Sequence, residues 1–554
     1  MIARSVQALA GLGGLVGLVA LAAVLRLPDL ATRGTWDGDQ GHDMLVLRAL
    51  VQDGTLPLLG PPTSIGDFHH GALYYYLLAP AAAVTGGESP LAVVTLIALL
   101  GIAAVGVTWW LARSMGGPVA GLVAGLLMAV SISAIDESTF IWNPNPIPLA
   151  SALALAGAWR AWSTGRVRWW LVAAGATAVT MQLHVLGIAF LPIIGALFVA
   201  DVWRRRRGGA RDLRLVAVAA VAGVAIIAFS YLPLVASELT TDFSETRAAL
   251  DYLAGGREPS DLDPATRTVI VGVRVITWPL VGLVTDAGIV ALVAALGVVV
   301  VAVWLARRPA GPERTAARWL GLGLAWATVA LSFGASSLAT VVRGLPNDHY
   351  HAFADPMVFA LVGVGAGAGW GRGGAGLGVG GLGGAGPGVA GAGGGPGVGG
   401  AGVGGAGAAQ RVGWVVPVGA VVVVVVVAAL VAWNVMRLPP GIHPDGGFPA
   451  AAAAAERIGT VVGNRPTALR SIPDFKSTEA YRYPLVLDDR RLVEEGDAGA
   501  LVVICDSLFE AVVGAACGGP AEAAAVDPSG RFPNLADRFE AAPGRTISVY
   551  LAAG

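Results

Sequence analysis

The chain is expected to be an α-helical polytopic membrane protein that ends in a small α/β domain. Three observations lead there. Apolar runs long enough to cross a bilayer recur along the sequence. Charged residues make up only 13% of the 554 residues, against roughly 25% in a soluble domain. From about Pro440 onward the composition turns soluble in character.

A helical span needs about 20 apolar residues. The segments 6–25, 91–112, 118–135, 146–163, 169–186, 187–203, 213–236, 286–306, 319–341, 352–370 and 413–434 meet that need, the pair 169–186 and 187–203 least well because both are short. No small-x-small cleavage site precedes the first polar segment, so 6–25 reads as a span rather than a removed signal. Arginine marks the cytoplasmic side. With about eleven crossings and an inside amino terminus, one side collects Arg113, Arg160 to Arg168, Arg204 to Arg207, Arg211, Arg214, Arg307 to Arg318, Arg372 and Arg411. The same parity puts 26–90, 136–145, 237–285, 342–351 and everything after 435 outside.

Within the first outer loop, Met44 to Val51 and Leu73 to Ala83 have helical spacing but are too short to span. They read as interfacial helices, with Tyr74 to Tyr76 at headgroup depth. Residues 363–409 are almost wholly Gly, Ala and Val, a composition that loses too much backbone entropy to order itself. The G-x-G-x-x-G matches inside this stretch, as from Gly376, follow no strand and carry no nucleotide signal. The expected division is a membrane catalytic domain over 1–370, a Gly-rich cytoplasmic linker over 371–411, a last span over 412–436 and an outer α/β domain over 437–554. In that domain Leu501 to Cys505 and Thr546 to Leu551 read as strands, and Pro449 to Val462 and Asp506 to Ala516 as helices. Cys505 and Cys517 are the only cysteines, and outside the cytoplasm such a pair reads as a disulfide, with two buried thiols as the alternative. A net charge of −1 gives no pull toward nucleic acid.

Nearly every polar residue that could do chemistry falls on the outer side. The segment Trp36-Asp37-Gly38-Asp39-Gln40-Gly41-His42-Asp43 sets three aspartates and a histidine close to a membrane surface, and Phe68-His69-His70-Gly71-Ala72-Leu73-Tyr74-Tyr75-Tyr76 follows. Asp39-Gln40, the acidic-Gly pair Asp53-Gly54 and His70-Gly71-Ala72-Leu73-Tyr74-Tyr75 reproduce a spaced pattern. Leu58 to Ser64 and Trp142-Asn143-Pro144-Asn145-Pro146 add to it. In these motifs the sequence resembles the GT-C glycosyltransferases of the protein O-mannosyltransferase and aminoarabinose transferase type, bacterial branch, over roughly residues 6–370.

The resemblance implies an inverting transferase in a bacterial plasma membrane. It would move a sugar from a polyprenyl-phosphate donor to an acceptor hydroxyl on a protein, a lipid or an envelope glycan, without a cofactor. Such chemistry needs a carboxylate to take the acceptor proton and donors to meet the departing phosphate. Asp39 stands at the family's acidic position and is the expected base, although it could instead cap the helix that begins near Gly41. Asp37 and Asp43 read as loop or helix-surface charges able to support Asp39 or bind a cation. Gln40, His69, His70, Tyr74, Asp136, Asn143, His184, Arg343, His349 and Tyr350 are the expected donor or acceptor contacts, His70 at the family's basic position and foremost for the phosphate. Asn143 could equally shape its Pro-flanked turn, His184 could serve as an interhelical hydrogen-bond residue, and Arg343 could be a snorkelling anchor. A divalent metal held by His42, His69, His70 and an aspartate is a further alternative, but no standard ligand spacing appears. The competing function is a transporter or flippase of a lipid-linked or polar solute. Transporters, however, place ionisable residues at mid-membrane in broken helices of repeated halves, and no repeat is seen here. A third reading is a non-catalytic envelope scaffold.

Overall fold

The computed structural model describes residues 2–63, 66–209, 212–255, 262–282, 287–335, 338, 350–374, 418–474, 476–507, 517–526 and 530–553. The chain opens with α1 (Ile2–Arg26), the outer-loop helices α2 (Gly38–Gln52) and α3 (Leu73–Val84), and α4 (Pro90–Val130). Next come α5 (Ile132–Asp136), α6 (Ile147–Thr164), α7 (Trp169–Leu183), α8 (Leu191–Arg207), α9 (Leu213–Ser230), α10 (Leu232–Thr240), α11 (Ser244–Ala254), α12 (Pro264–Val281), α13 (Gly288–Ala306), α14 (Pro312–Gly334), α15 (Asp355–Gly374) and α16 (Val418–Val435). Among the described residues, seven helices are long and apolar enough to cross a membrane. The protein is therefore a multi-pass membrane protein.

The longest helix, α4, is two arms. Gly117 has φ 85° and Pro118 follows it, so the chain breaks there. A Cβ on Gly121 would meet Arg113, and one on Gly125 would meet Trp109, which places the arms antiparallel and side by side. The 91–112 and 118–135 runs thus form the hairpin that two adjacent spans require.

Two expectations need correction. The Gly-rich stretch does not lose order at its start, because α15 continues helically to Gly374. A Cβ on Gly363 would lie 2.4 Å from the Ala120 carbonyl oxygen and one on Gly367 2.5 Å from that of Gly116, so these glycines let α15 press against α4. This is small-residue packing of the kind that joins helices in lipid. The rest of the expected linker, 375–411, lies outside the described residues. The segment 237–285, expected as a loop, is also no open loop: it holds the end of α10, α11 and α12.

The carboxyl-terminal region adds α17 (Gly447–Val462), β1 (Thr467–Ile472), α18 (Glu479–Leu487), β2 (Ala500–Asp506), α19 (Pro520–Val526), β3 (Asn534–Ala542) and β4 (Arg545–Leu551). The sheet order is β1-β2-β4-β3. β1 pairs parallel with β2, from Thr467 opposite Ala500 to Ile472 opposite Cys505, while β4 runs antiparallel to both β2 and β3. A disulfide joins Cys505 to Cys517. The helix expected over 506–516 falls mostly outside the described residues.

This domain is seated on the segment between α1 and α4. Trp36 packs edge-on to Phe448 at 4.7 Å between ring centroids, and its indole N–H donates to the Ala480 carbonyl at 2.8 Å. Tyr483 donates its hydroxyl to the Gly87 carbonyl at 2.9 Å.

Candidate active site

The first turn of α2 organises the site. Asp37 is its N-cap: the Asp37 carboxylate accepts from the Gly38 N–H at 2.8 Å, and Gln40 Oε1 accepts from the Asp37 N–H at 2.8 Å. This is a capping box. The capping role that Asp39 could have filled therefore belongs to Asp37. Asp37 also pairs with Arg545 at 3.0 Å and Lys476 at 3.6 Å, and both cations reach on to Asp506. It is a structural charge rather than a second base.

Asp39 is left pointing into a cavity of about 240 Å³. The walls come from α2 (Gly38, Asp39, His42, Asp43), the loop before α3 (Pro61, Pro62, Thr63, His70), the turn before α6 (Trp142, Asn143) and the carboxyl-terminal domain (Ser477, Glu479). The Asp39 side chain is open to the cavity, yet the crowding walls deprive it of bulk water. That desolvation and the charge of Asp37 raise its pKa, against the opposing charges of Lys476 and His42 and a hydrogen bond from the Trp142 indole. The result is a carboxylate of increased basicity facing an enclosed polar space.

One turn deeper, Asp43 is 1% exposed. It is no surface charge: its two oxygens accept hydroxyl hydrogen bonds from Tyr74 at 2.7 Å and Tyr75 at 2.9 Å. Burial pushes its pKa up to about 7, with the tyrosine hydrogen bonds opposing. Tyr74 and Tyr75 are accordingly buried beneath the site, and Tyr76 donates to the Pro57 carbonyl at 2.7 Å. The Asp43 carboxylate satisfies the two buried hydroxyls, which would be costly to leave unpaired away from water.

The other expected contacts divide. His70 lines the cavity; its Nδ1 accepts from the Val185 N–H at 3.2 Å, which puts the ring proton on Nε2. Burial, together with His184 and His69, holds its pKa well below the usual histidine range, so it is a neutral donor and not a cation. Asn143 lines the cavity while its amide donates to the Leu183 carbonyl at 2.6 Å. His184 stands behind His70, at 4.5 Å between ring centroids, and Tyr350 lies edge-on to His184 at 5.6 Å.

Four residues are placed elsewhere. Gln40 is buried, donates to the Ile141 carbonyl at 2.8 Å and borders a separate apolar pocket with Trp36 and Phe140. Tyr74 serves Asp43. His69 is clamped to Glu245 of α11, ring nitrogen to carboxylate at 3.0 Å, and does not line the cavity. Asp136 faces Arg33 and His443; burial raises its pKa while those two groups oppose the rise. Arg343 and His349 lie outside the described residues. No three His, Cys, Asp or Glu side chains come together as a metal-ligand set among the described residues.

Sequence reasoning missed Glu479. Its carboxylate meets His42 Nδ1 at 2.9 Å. The hydrogen bond that His42 donates to Glu479 raises the His42 pKa despite partial burial. No local motif surrounds Glu479; only the docking of α18 on α2 brings it to the cavity. That docking depends on glycine. A Cβ on Gly41 would lie 2.0 Å from the Glu479 carbonyl oxygen, and one on Gly38 2.5 Å from the Ser477 Cβ.

The sequence model of the family described as dolichyl-phosphate-mannose-protein mannosyltransferase matches residues 69–232. No curated protein matches the chain. In fold, the chain is similar to ArnT from Cupriavidus metallidurans in the apo state, with a TM-score of 0.57 at 14% identity over 98% of each chain. Its likeness to the same ArnT bound to undecaprenyl phosphate has a TM-score of 0.56 at 13% identity, over 97% of this chain and 98% of that one. The archaeal oligosaccharyltransferase AglB from Archaeoglobus fulgidus, in complex with an inhibitory peptide and a dolichol-phosphate, matches with a TM-score of 0.50 at 13% identity, over 90% of this chain and 70% of that one. The resemblance carried by Asp39-Gln40 and the His70 to Tyr75 motif is thus matched by the architecture: the chain has the ArnT-like fold of the GT-C glycosyltransferases.

Proposed function

We propose that the protein is an integral membrane glycosyltransferase that moves a sugar from a polyprenyl-phosphate donor to an acceptor hydroxyl. The observation that carries this reading is the cavity itself. A carboxylate with raised pKa, free of capping duty, faces a polar chamber roofed by a second domain. The undecaprenyl phosphate bound to ArnT and the dolichol-phosphate in complex with AglB, proteins of similar fold, support a lipid-phosphate donor.

In the reaction, the Asp39 carboxylate takes the acceptor hydroxyl proton as that oxygen attacks the anomeric carbon. The bond from that carbon to the phosphate oxygen breaks, and its electron pair leaves with the lipid phosphate. Attack opposite the leaving group inverts the anomeric centre. His70, with its proton on Nε2, donates a hydrogen bond into the chamber, and Asn143 helps shape the wall.

The chamber belongs on the outer face of a bacterial plasma membrane in this reading. Asn143 lies just before α6, and Arg166 and Arg168 lie just after it, about 27 Å along the helix axis. The cavity and an arginine-rich turn therefore stand at opposite ends of one helix, and arginine marks the cytoplasm.

The test is to incubate purified protein with radiolabelled polyprenyl-phosphate sugars, hexoses and pentoses, with and without protein, lipid and glycan acceptors. Transfer, or slow release of water-soluble sugar, is expected from at least one donor. Absence of both across the panel, with folded protein, would overturn the assignment.

A further inference from the structure

We propose that His42, oriented by Glu479 of the carboxyl-terminal domain, is the hydrogen-bond donor that meets the departing phosphate in the cavity, so that this domain completes the active site. The proposal rests on the transferase reading and adds to it a residue outside the motifs that suggested it.

The lining of the cavity narrows the choice. Its ionisable members are Asp39, His42, Asp43, His70 and Glu479; neither Lys nor Arg lines it among the described residues. A phosphate that gains charge as its bond to the sugar breaks needs donors or cations within reach. Three of the five are acids. His70 is held neutral by its packing against His184 and by the Val185 N–H on its Nδ1. His70 can offer only a neutral N–H, so His42 is the lining residue able to meet the phosphate as a cation, and it is half-buried at the wall with Nδ1 2.9 Å from Glu479 Oε2.

The position is suitable as well. His42 follows Asp39 by three residues on α2, so both lie on one face, about 4.5 Å apart along the axis. The base and the phosphate contact would then act on the two sides of one sugar. The groups around His42 are Asp39 and Asp43 on its own helix and Glu479 and Ser477 on the facing segment. Their negative charge favours the imidazolium, in which both nitrogens donate. With Nδ1–H held by Glu479, Nε2–H is the donor available to a phosphate oxygen. No proton changes hands in this contact: the electron pair of the broken bond stays on the phosphate, and His42 remains protonated. Glu479 is a positioning residue, and Gly38 and Gly41 permit the close approach that brings it there.

The test is equilibrium binding of farnesyl phosphate, which carries no sugar, to the full chain in nanodiscs across pH 5–9. Wild type should bind. His42→Gln should weaken binding roughly ten- to a hundredfold, the range for loss of a charged hydrogen bond, and should remove the part of the pH dependence due to His42. Glu479→Gln should move that part to lower pH, and Glu479→Asp should restore it in part. Arg545→Ala is the comparison for a purely docking role, because Arg545 ties the domain to Asp37 at 3.0 Å without lining the cavity. If His42→Gln lowered the melting temperature as Arg545→Ala does but left farnesyl phosphate affinity and its pH profile unchanged, the pair would be a latch and the proposal overturned. Failure of wild type to bind any prenyl phosphate would instead bring down the transferase reading on which it rests.

Discussion

Asp39 and Asp43 stand one helical turn apart on α2 and both border the cavity, but they differ in exposure and in what their oxygens hold. Asp39 opens to the cavity and receives a hydrogen bond from the Trp142 indole. Asp43 is almost wholly buried, with a tyrosine hydroxyl on each oxygen. Burial brings the Asp43 pKa to about 7, a value that by itself would suit a general base. The comparison teaches that access decides. A base must reach the proton it removes, and the Asp43 oxygens are committed to holding α3 against α2. In the proposed reaction Asp39 does the chemistry from a turn that Asp43 keeps in place.

The strongest way to break this comparison is to neutralise each carboxylate in turn. Asp39→Asn keeps the shape but removes the basicity, so turnover should fall at least about a hundredfold, within the usual range for general-base catalysis. Farnesyl phosphate binding should change far less. Asp43→Asn should leave turnover within a few-fold. The reverse pattern in single-turnover transfer assays would exchange the two roles.

Stability sharpens the same contrast. Asp43→Ala strands two buried hydroxyls, and the cost should be about 2–4 kcal/mol, read as a lower melting temperature in detergent. Asp43→Asn should spare most of that and change the pH response. The folded protein keeps a proton on Asp43 that the unfolded chain releases above about pH 4. The Asp43 contribution to stability therefore declines as pH rises from about 4 toward 7 and is level beyond. With Asn that decline should vanish; an unchanged slope would show that Asp43 titrates normally.

The hydrophobic runs announced the helices, because a bilayer demands long apolar segments, and the outer-loop motif pointed to Asp39, His70 and Asn143. Other features depended on tertiary contacts that no local pattern carries. Gln40 and Tyr74 share the motif with Asp39, but the turn of the helix directs Gln40 to Ile141 and Tyr74 to Asp43. Glu479 lies 437 positions from His42 and is exposed as a partner only by the docking of α18. The first turns of the Gly-rich stretch looked too entropic to order, yet their lack of side chains is what fits α15 to α4. β1 and β3 escaped notice because Thr467–Ile472 and Asn534–Ala542 mix charged residues into short runs without clean alternation.

Gly41 lies between the two aspartates and tests the wall they share. Its absent Cβ is what allows the Glu479 backbone to approach. Gly41→Ala must push α18 away by an ångström or more, and displacements of that size can cost up to about a hundredfold in rate. Because α18 carries the cavity roof and not the base, a loss of about tenfold in turnover is expected, with farnesyl phosphate affinity reduced alongside it. Normal activity would mean that the roof adjusts freely and contributes little.

Asp136 provides the smallest expected effect and the clearest control. It too is a carboxylate with a pKa raised by burial, so a raised pKa alone would rank it beside Asp39. Its surroundings separate it: Arg33 and His443 are its charged neighbours, and it has no place on the cavity wall. Asp136→Asn should therefore leave turnover within about twofold, since a group off the cavity wall makes no contact that strengthens in the transition state. Any deficit should appear in melting temperature and not in the pH profile of transfer. A tenfold loss of turnover without a loss of stability would bring Asp136 back to the reaction and show that the described cavity is only part of the working site.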